Sequence, residues 1–327
     1  MLSQARLLAV ACRPGENAST FVETSRKATM TNSQRLGFIG LGHMGGAMAH
    51  RLLKQGLPLT VWARNKDRLP PFLAAGATEA ATPAELARDC DVIFTCVFNT
   101  AALEDLLFGE GRLVDGLSEG KMLVDFSTAD PEPSKAFAAR LKANHGTGMI
   151  DAPVSGGPPS AETGTLVIMA GGAEEDFEKV RGVIEENLAG RLTLMGPNGA
   201  GQATKLINQT FVGNLLAVLA EAAKLATNAG IEADRIPAAL QGGRADSRLL
   251  QEWFNVMLEG KFPPGGAIST IEKDLDAVLA LAKSTRTPMP MTATAAQLHR
   301  MMTARGHADE DVTAIYKLYG DETLPWK

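Results

Sequence analysis

The fold is decided by residues 35–56, RLGFIGLGHMGGAMAHRLLKQG. A short apolar strand runs into a glycine-rich turn, and apolar residues at helical spacing then continue to Gly56. The turn has the spacing Gly40-x-Gly42-x-x-Gly45, which is informative because it lies between a strand and a helix. Such a loop lets the backbone approach a pyrophosphate, which the helix N-terminus also attracts. The alternative is an ordinary glycine-rich turn.

The segments that follow alternate between strand and helix. Apolar runs predict six further strands, at residues 57–64, 91–98, 121–126, 148–154, 165–172 and 191–196. Helical patterns fill the intervals between them. This alternation predicts a Rossmann-type α/β domain over residues 35–197, with a doubly wound parallel sheet.

The strands stop after Gly201. Residues 202–229 have the pattern of one long helix, and further helical patterns occupy residues 234–241, 247–259, 269–284, 289–304 and 309–318. We therefore predict an all-helical domain over residues 198–327, joined to the first domain by the long helix. That helix carries a stripe of Leu206, Thr210, Gly213, Ala217 and Ala220. Because this stripe is too apolar for one small domain to hide, we expect a homodimer or homotetramer.

Residues 1–34 lack steady periodicity and are predicted to be an N-terminal appendage. One interpretation is a transit peptide. The other is an upstream start codon, with Met30 as the natural start. Since these residues carry no motif, their deletion is expected to leave activity and thermal stability almost unchanged.

Composition excludes several classes of protein. The 327 residues are 45% hydrophobic and carry a net charge of −5 without a long basic run, which argues against nucleic-acid binding. No uninterrupted apolar run reaches the roughly 18 residues of a membrane span. Cys12, Cys90 and Cys96 are unclustered, so no disulfide framework or metal site is predicted. A reducing, cytoplasmic location is expected, with an organellar role for residues 1–34 as the alternative.

The end of the second predicted strand bears on the cofactor. An NAD site usually places an acidic residue there, on the ribose 2′-hydroxyl. This chain has none at residues 61–65 and places Arg64 there instead. A guanidinium matches a 2′-phosphate, so NADP(H) is expected to be preferred, with NAD(H) possible. The alternatives are a solvated arginine, or one that stacks on the adenine and serves either cofactor.

Three more motifs carry chemistry. Ser155-Gly156-Gly157 presents a hydroxyl and bare backbone N–H groups, which suits a substrate carboxylate; a plain glycine turn is the alternative. Lys205 and Asn208 share one face of the long helix, where a lysine near a nicotinamide can transfer a proton. Lys273-Asp274 opens a later amphipathic helix, where the simpler interpretation is a helix cap with a surface ion pair.

In this order, over residues 35–321, these motifs resemble the β-hydroxyacid dehydrogenase family. That family includes 3-hydroxyisobutyrate dehydrogenase, threonate dehydrogenase, tartronate semialdehyde reductase and the glyoxylate/succinic semialdehyde reductases. The resemblance implies hydride transfer between a nicotinamide and a small 3-hydroxy acid or its semialdehyde, without a metal. It implies cofactor contacts from Gly40, Leu41, Gly42, His43, Met44, Gly45, Arg64, Thr128 and Lys273, the last supported by Asp274, although no role is assigned to the His43 side chain. It also implies that Ser155, Gly156 and Gly157 bind the substrate carboxylate, that Lys205 is the acid/base, and that Asn208 orients the substrate.

Two departures from the family pattern bear on the substrate. Some members carry two consecutive asparagines where this chain has Asn208-Gln209, so either amide is a candidate for substrate contact. Some aldehyde-reducing members carry an aromatic residue where this chain has Pro264–Ala267, which argues against a glyoxylate-type pocket. Arg244 and Arg248 are candidate anchors for a second carboxylate or hydroxyls, or else surface charges.

Two other functions are compatible with this architecture. One is a non-catalytic dinucleotide-binding regulator, and the other is an imine-reductase-like enzyme. Lys205 argues against both, because a regulator has no need of it and imine reductases lack a lysine at the corresponding place. The helical region is also much shorter than that of 6-phosphogluconate dehydrogenase.

Overall fold

The computed structural model describes residues 34–262 and 265–320. The predictions for residues 1–33 and for Pro264 therefore lie outside the described residues. The described chain consists of an α/β part followed by an all-helical part, and the predicted fold class is confirmed.

Six parallel strands form the main sheet, in the spatial order β3-β2-β1-β4-β5-β6. They are β1 (Leu36–Ile39), β2 (Leu59–Trp62), β3 (Thr78–Glu79), β4 (Val92–Thr95), β5 (Met122–Asp125) and β6 (Gly148–Asp151). The winding direction reverses between β1 and β4, where Ile39 is paired with Thr95. In such sheets ligands bind at this switch point, outside the carboxyl ends of the strands.

The prediction that residues 148–154 form one strand was wrong. β6 ends at Asp151, and β7 (Val154–Ser155) belongs to a second, three-stranded sheet with β8 (Leu166–Ala170) and β9 (Ala189–Leu194). β7 runs antiparallel to β8, and β8 runs parallel to β9. Pro153 lies between β6 and β7 and has no N–H to donate to a ladder, which favours a break there.

Seven helices accompany the described strands, and the central strands β1, β4, β5 and β6 of the main sheet are buried on both faces. The helices are α1 (His43–Lys54), α2 (Pro70–Ala74), α3 (Pro83–Asp89), α4 (Thr100–Phe108), α5 (Pro131–His145), α6 (Gly157–Thr163) and α7 (Glu174–Asn187). Phe38, Phe94 and Phe126 pack together in the core on one face, whereas Ile39 and Ile93 belong to the core on the other. Burial on both faces explains why these strands are continuous apolar runs.

The helical part is built around the long helix α8 (Ala200–Asn228). The remaining helices are α9 (Ile236–Leu240), α10 (Arg248–Glu259), α11 (Ile268–Thr285), α12 (Pro290–Ala304) and α13 (Lys317–Gly320). The predicted helix at 309–318 is instead a 3-10 turn at Val312–Tyr316 followed by α13. Lys273 and Asp274 lie in the second turn of α11 and do not open it.

The small-residue stripe of α8 packs inside the helical part. A Cβ atom on Gly213 would lie 2.7 Å from Leu275 of α11, and Ala217 and Ala220 belong to the same core. The stripe was expected to face a second subunit. That expectation was wrong, because α11 packs against the stripe.

Within the described residues, α8 is the one helix that is long and apolar enough to cross a membrane, with a mean hydropathy of 1.3. Isolated polar residues interrupt the apolar sequence of α8, but the mean hydropathy stays at this value. Of that window, 44% is buried inside the protein. Five residues of α8 belong to the core of the helical part: Leu216, Ala217, Leu219, Ala220 and Ala223.

Candidate active site

The three glycines of the loop after β1 have different surroundings. Gly40 has a φ of +99°, and a Cβ there would lie 2.1 Å from the carbonyl oxygen of Cys96. A Cβ on Gly45 would lie 2.0 Å from the carbonyl oxygen of Gly40, whereas a Cβ on Gly42 would meet nothing within 4 Å. The first and third glycines therefore permit the turn and close packing, and Gly42 borders open space.

Helix α1 begins directly after this loop. Gly42 is its N-cap, and the first turn contains no acidic residue. The helix therefore offers free N–H groups and the positive end of its dipole to an anion. Leu41 is buried and Met44 packs against the same core, so their side chains are used in packing, whereas His43 is exposed.

Arg64 lies exposed beyond the end of β2, as the cofactor argument requires. Its two neighbours are already engaged: Asn65 Oδ1 accepts a hydrogen bond from the Asp67 N–H, and Lys66 Nζ lies 2.6 Å from Glu79 Oε1. Arg64 forms no ion pair with any residue of the described chain. Among residues 64–66 it is therefore the cation without an ion pair; the exposed Arg68 further on also has none with the described residues.

A cleft of ≈ 280 Å³ lies between the loops after β4 and β5 and helix α11. Its lining residues are Asn99, Thr100, Thr128, Ala129, Asp130, Lys273, Asp276, Ala277 and Ala280. The structure thus brings together Thr128 and Lys273, two predicted cofactor contacts 145 residues apart. Lys273 Nζ also lies 5.4 Å from the ring centroid of Phe98, an exposed aromatic residue that the sequence reasoning did not identify.

A buried carboxylate, Asp125, ties the loops after β4 and β5 together. Its Oδ1 accepts hydrogen bonds from Thr95 Oγ1 at 2.8 Å and Ser127 Oγ at 2.6 Å. Ser127 Oγ in turn accepts from the Val97 N–H at 2.8 Å. Burial raises the pKa of Asp125 to about 6, although these hydrogen bonds oppose the rise. In the sequence, Asp125 could have been recognised as the acid in the run VDFST, at the end of β5.

A second buried carboxylate, Asp151, holds the start of α8. Its Oδ1 accepts from the Gly199 N–H at 2.8 Å and its Oδ2 from the Gln202 N–H at 3.0 Å. Burial raises its pKa to about 6 despite these bonds. The Gln202 side chain donates to the Ser127 carbonyl and accepts from the Ala129 N–H. The loop that carries Thr128 is thereby fixed to α8 one turn before Lys205.

Lys205 is buried in the second turn of α8, with 8% of its surface exposed. Burial lowers the pKa of its ammonium to about 8; nearby Asp274 opposes this shift and Lys273 adds to it. A lysine with a pKa near the working pH is suited to donating and accepting a proton. This environment differs from that of an ordinary solvated helix lysine.

Asn208 and Gln209 continue from Lys205 toward α11. Asn208 Nδ2 donates to Gln209 Oε1 at 2.8 Å, and Gln209 Nε2 donates to Asp274 Oδ2 at 2.6 Å. Lys273 Nζ lies 2.8 Å from Asp274 Oδ1. Asp274 is buried, so the interpretation of Lys273-Asp274 as a surface ion pair was wrong. Gln209 is buried against Asp274, whereas Asn208 is half-buried beside Lys205.

Ser155, Gly156 and Gly157 connect β7 to α6 and are not among the residues that line the cleft with Thr128. Gly156 and Gly157 have φ values of +126° and +70°, a region that favours glycine. Ser155 pairs with Val167 of β8, and the start of α8 packs against the same strand. The Ser-Gly-Gly turn and the Lys205 helix therefore share β8 as a neighbour.

The remaining candidates lie at the surface. Arg244 is exposed, and exposed Arg248 pairs with Glu252 one turn along α10 at 2.6 Å, as surface charges do. Within the described residues, no group of three His, Cys, Asp or Glu side chains is arranged to hold a metal ion.

Known proteins share both halves of this architecture. Residues 35–196 match the family described as the NAD-binding domain of 6-phosphogluconate dehydrogenase, and residues 199–319 match the one described as the NAD-binding region of NADP-dependent 3-hydroxyisobutyrate dehydrogenase. The L-threonate dehydrogenase of Cupriavidus necator is 33% identical over 296 residues, which cover 90% of this chain and 99% of the relative. The chain belongs to the 3-hydroxyisobutyrate dehydrogenase family.

Two further members of this β-hydroxyacid dehydrogenase group support the assignment. The 2-hydroxy-3-oxopropionate reductase of Escherichia coli is 38% identical over 86% of this chain and 95% of its own. The crystal structure of 3-hydroxyisobutyrate dehydrogenase from Salmonella typhimurium has a TM-score of 0.79 and 30% identity, and covers 88% of this chain and 100% of its own. The resemblance is confirmed, and this chain is an NAD(P)-dependent hydroxyacid dehydrogenase.

Proposed function

We propose that this enzyme transfers a hydride between NADP(H) and a small 3-hydroxy acid or its semialdehyde, with Lys205 as general acid/base. The observation that carries the proposal is the burial of Lys205 beside Asp274. Gln202 of the same helix is hydrogen-bonded to the loop after β5 that carries Thr128, which we call the cofactor loop. A regulator without catalysis has no use for a buried ammonium, because burying a cation costs stability.

The loop and helix after β1 hold the pyrophosphate in this proposal, through the backbone N–H groups at Gly42 and the start of α1. Thr128 and Lys273 contact the nicotinamide half from either side of the cleft. Bound NADP(H) supplies or accepts the hydride at its nicotinamide C4. The residues fit this cofactor because Gly42 leaves space at a helix N-terminus, beside the switch point of the sheet.

Lys205 handles the proton that accompanies the hydride. In the oxidative direction its neutral amine accepts the proton of the substrate hydroxyl. In the reductive direction its ammonium donates a proton to the carbonyl oxygen. Ser155 and the N–H groups at Gly156 and Gly157 bind the substrate carboxylate, which fixes the reacting carbon near Lys205.

The preference for NADP(H) rests on Arg64, the first exposed cation beyond β2, which forms no ion pair with the described residues. Glu79, on the neighbouring strand β3, is paired with Lys66 by direct contact. A 2′-phosphate at Arg64 would thus meet a guanidinium, and the Glu79 carboxylate is already paired. The family that matches residues 199–319 is described by an NADP-dependent enzyme, which supports the same preference.

The substrate class follows from the site and from its relatives. L-threonate and 2-hydroxy-3-oxopropionate, which two relatives are named for, are short carboxylates with several oxygens. A screen of such acids and semialdehydes, monitored by NAD(P)H absorbance, tests the proposal. We expect turnover of at least one compound, and a loss of about 10²–10⁴-fold in Lys205→Ala. Near-normal kcat in that variant would exclude Lys205 as the acid/base.

A further inference from the structure

Asn208, Gln209 and Asp274 form a hydrogen-bonded row, which we call the amide row, between α8 and α11. Both links have short donor–acceptor distances of 2.8 and 2.6 Å. The row ends beside Lys205, whose pKa responds to the charge of Asp274. Two of its three members are buried, so the orientation of their polar groups is set inside the protein.

The Asp274 carboxylate at one end of the amide row determines which way each amide group points. Asp274 is paired with Lys273, and an ionised carboxylate can only accept hydrogen bonds. Gln209 must therefore turn its NH₂ group toward Asp274, which leaves its Oε1 facing Asn208. Asn208 must in turn donate its NH₂ group to that oxygen. The Asn208 Oδ1 atom accepts no hydrogen bond from the described residues, so it remains the acceptor that a ligand can use.

We propose that Gln209 and Asp274 are positioning residues that present the Asn208 carbonyl oxygen to the substrate as a hydrogen-bond acceptor. This inference rests on the proposed function and narrows its substrate class. An acceptor cannot bind the carbonyl oxygen of a semialdehyde, which needs a donor such as the Lys205 ammonium. The Asn208 oxygen can instead accept a hydrogen bond from a second hydroxyl group of the substrate, on the carbon next to the reacting carbon.

The enzyme should therefore prefer acids with a hydroxyl next to the reacting carbon. We expect 2-hydroxy-3-oxopropionate to exceed 3-oxopropionate in kcat/KM by about 5–150-fold, since the analogue leaves the acceptor unpaired. The ratio of the two kcat/KM values is the readout. Because both substrates use the same lysine and cofactor, effects of a mutation on Lys205 or on cofactor binding largely cancel in this ratio.

Two single variants should weaken the preference. In Asp274→Asn the terminal group can donate or accept, so the row loses its fixed direction and the ratio falls toward one. Gln209→Met removes the middle link at similar volume and should lower the ratio equally. If one variant fails to fold, the other still tests the inference. An unchanged ratio in a folded variant overturns it.

A double variant distinguishes orientation from loose packing. Asn208→Asp combined with Asp274→Asn keeps the charge and reverses the row, so that Gln209 donates to the carboxylate now at position 208 and accepts from the amide now at position 274. An oxygen still faces the substrate, and the ratio should recover relative to Asp274→Asn alone. A ratio no higher than that of the single variant contradicts the proposal.

The matched control is Asn214→Asp, the same substitution on the same helix. Its Nδ2 group donates to the Thr210 carbonyl and to Thr292, about 9 Å along the axis from Asn208. The ratio should stay at the wild-type value in this variant. Failure of the wild type to turn over any hydroxy acid or semialdehyde would overturn the proposed function and this inference together. Turnover with a ratio near one overturns the inference alone.

Discussion

At the scale of single residues, Lys205 shows what the site costs the fold. Its pKa falls from 10.5 to about 8 because burial disfavours the ammonium. Between these two pH values the unfolded chain holds a proton that the folded chain has lost, so stability rises with pH across that window. Below pH 8 the full cost of burying the charge is present. Activity and stability therefore make opposite demands on this side chain.

Lys205→Met should be inactive and yet more stable than the wild type. Methionine has a similar length and no charge to bury, so the melting temperature at pH 7 should rise. The gain should shrink as the pH is raised from 8 through 10.5, because well above 10.5 the wild-type lysine is neutral in both states. Melting curves at pH 7 and pH 10 measure this difference. A variant less stable at pH 7 would show that the ammonium has stabilising partners in solution.

The same pKa predicts opposite pH profiles for the two reaction directions. Oxidation needs the neutral amine, so its kcat/KM should rise through about pH 8 and then level off. Reduction needs the ammonium, so its kcat/KM should fall above that pH. Initial rates in both directions between pH 6 and pH 10 test this. Two profiles with the same sign of slope near pH 8 would assign the titration to another group.

Arg64 gives a prediction about the cofactor. Arg64→Ala should lower kcat/KM for NADPH by about 10–150-fold, which is the value of a charge-assisted contact, and should change the NADH value little. Arg68→Ala is the control, because Arg68 is also exposed and lies four residues further on. Equal losses with both cofactors would show that Arg64 stacks on the adenine and does not bind the 2′-phosphate.

At the scale of elements, the strand–loop–helix unit after Arg35 allows two matched substitutions. Gly42→Ala adds a Cβ that meets nothing within 4 Å, at a φ of −77° that alanine adopts freely. Its melting temperature should match the wild type while its affinity for NADPH falls. Gly45→Ala places a Cβ 2.0 Å from the Gly40 carbonyl oxygen, so it should destabilise the fold itself. Cofactor titration and melting curves separate the effects, and unchanged affinity in Gly42→Ala would place the pyrophosphate elsewhere.

An element can be predicted from the sequence when its side chains carry the pattern, and cannot when backbone pairing alone holds it. β1, β4 and β5 were predictable because burial on both faces makes them continuous apolar runs. β3 was not, because Thr78 and Glu79 are exposed polar residues held in the sheet by backbone pairing with β2. The motifs showed Lys205 and Lys273 as separate features. The hydrogen bond between Gln209 and Asp274, which links the two helices beside these lysines, joins residues 65 positions apart. It depends on how α8 and α11 pack.

At the scale of the whole molecule, α8 does two things at once. Its first turns are joined to the cofactor loop and carry Lys205, and its later turns form the core of the helical part. Its buried face is occupied by α10, α11 and α12, so the expected subunit contact cannot use the small-residue stripe. A different face remains open. The exposed side chains of Ile207, Phe211, Val218 and Leu225 lie on that face.

These four exposed residues form one straight apolar stripe. At about 100° per residue they fall within roughly 40° of each other around the helix, along about 27 Å of its length. Such a stripe favours a partner surface, and we predict a second copy of this chain as that partner. Phe211, with 64% of its surface exposed, is the largest side chain in it.

Phe211→Glu should therefore convert the oligomer to a monomer, because it places a charge in an apolar interface. The control is Met291→Glu, which changes an equally exposed apolar residue, 70% exposed, on α12. Sedimentation at micromolar concentration should show the wild type and the control as oligomers, and Phe211→Glu as a monomer. Because Phe211 lies six residues beyond Lys205 on the same helix, the variant also tests whether the site needs its partner. A wild type that sediments only as a monomer would contradict the predicted interface and leave the stripe to a different partner.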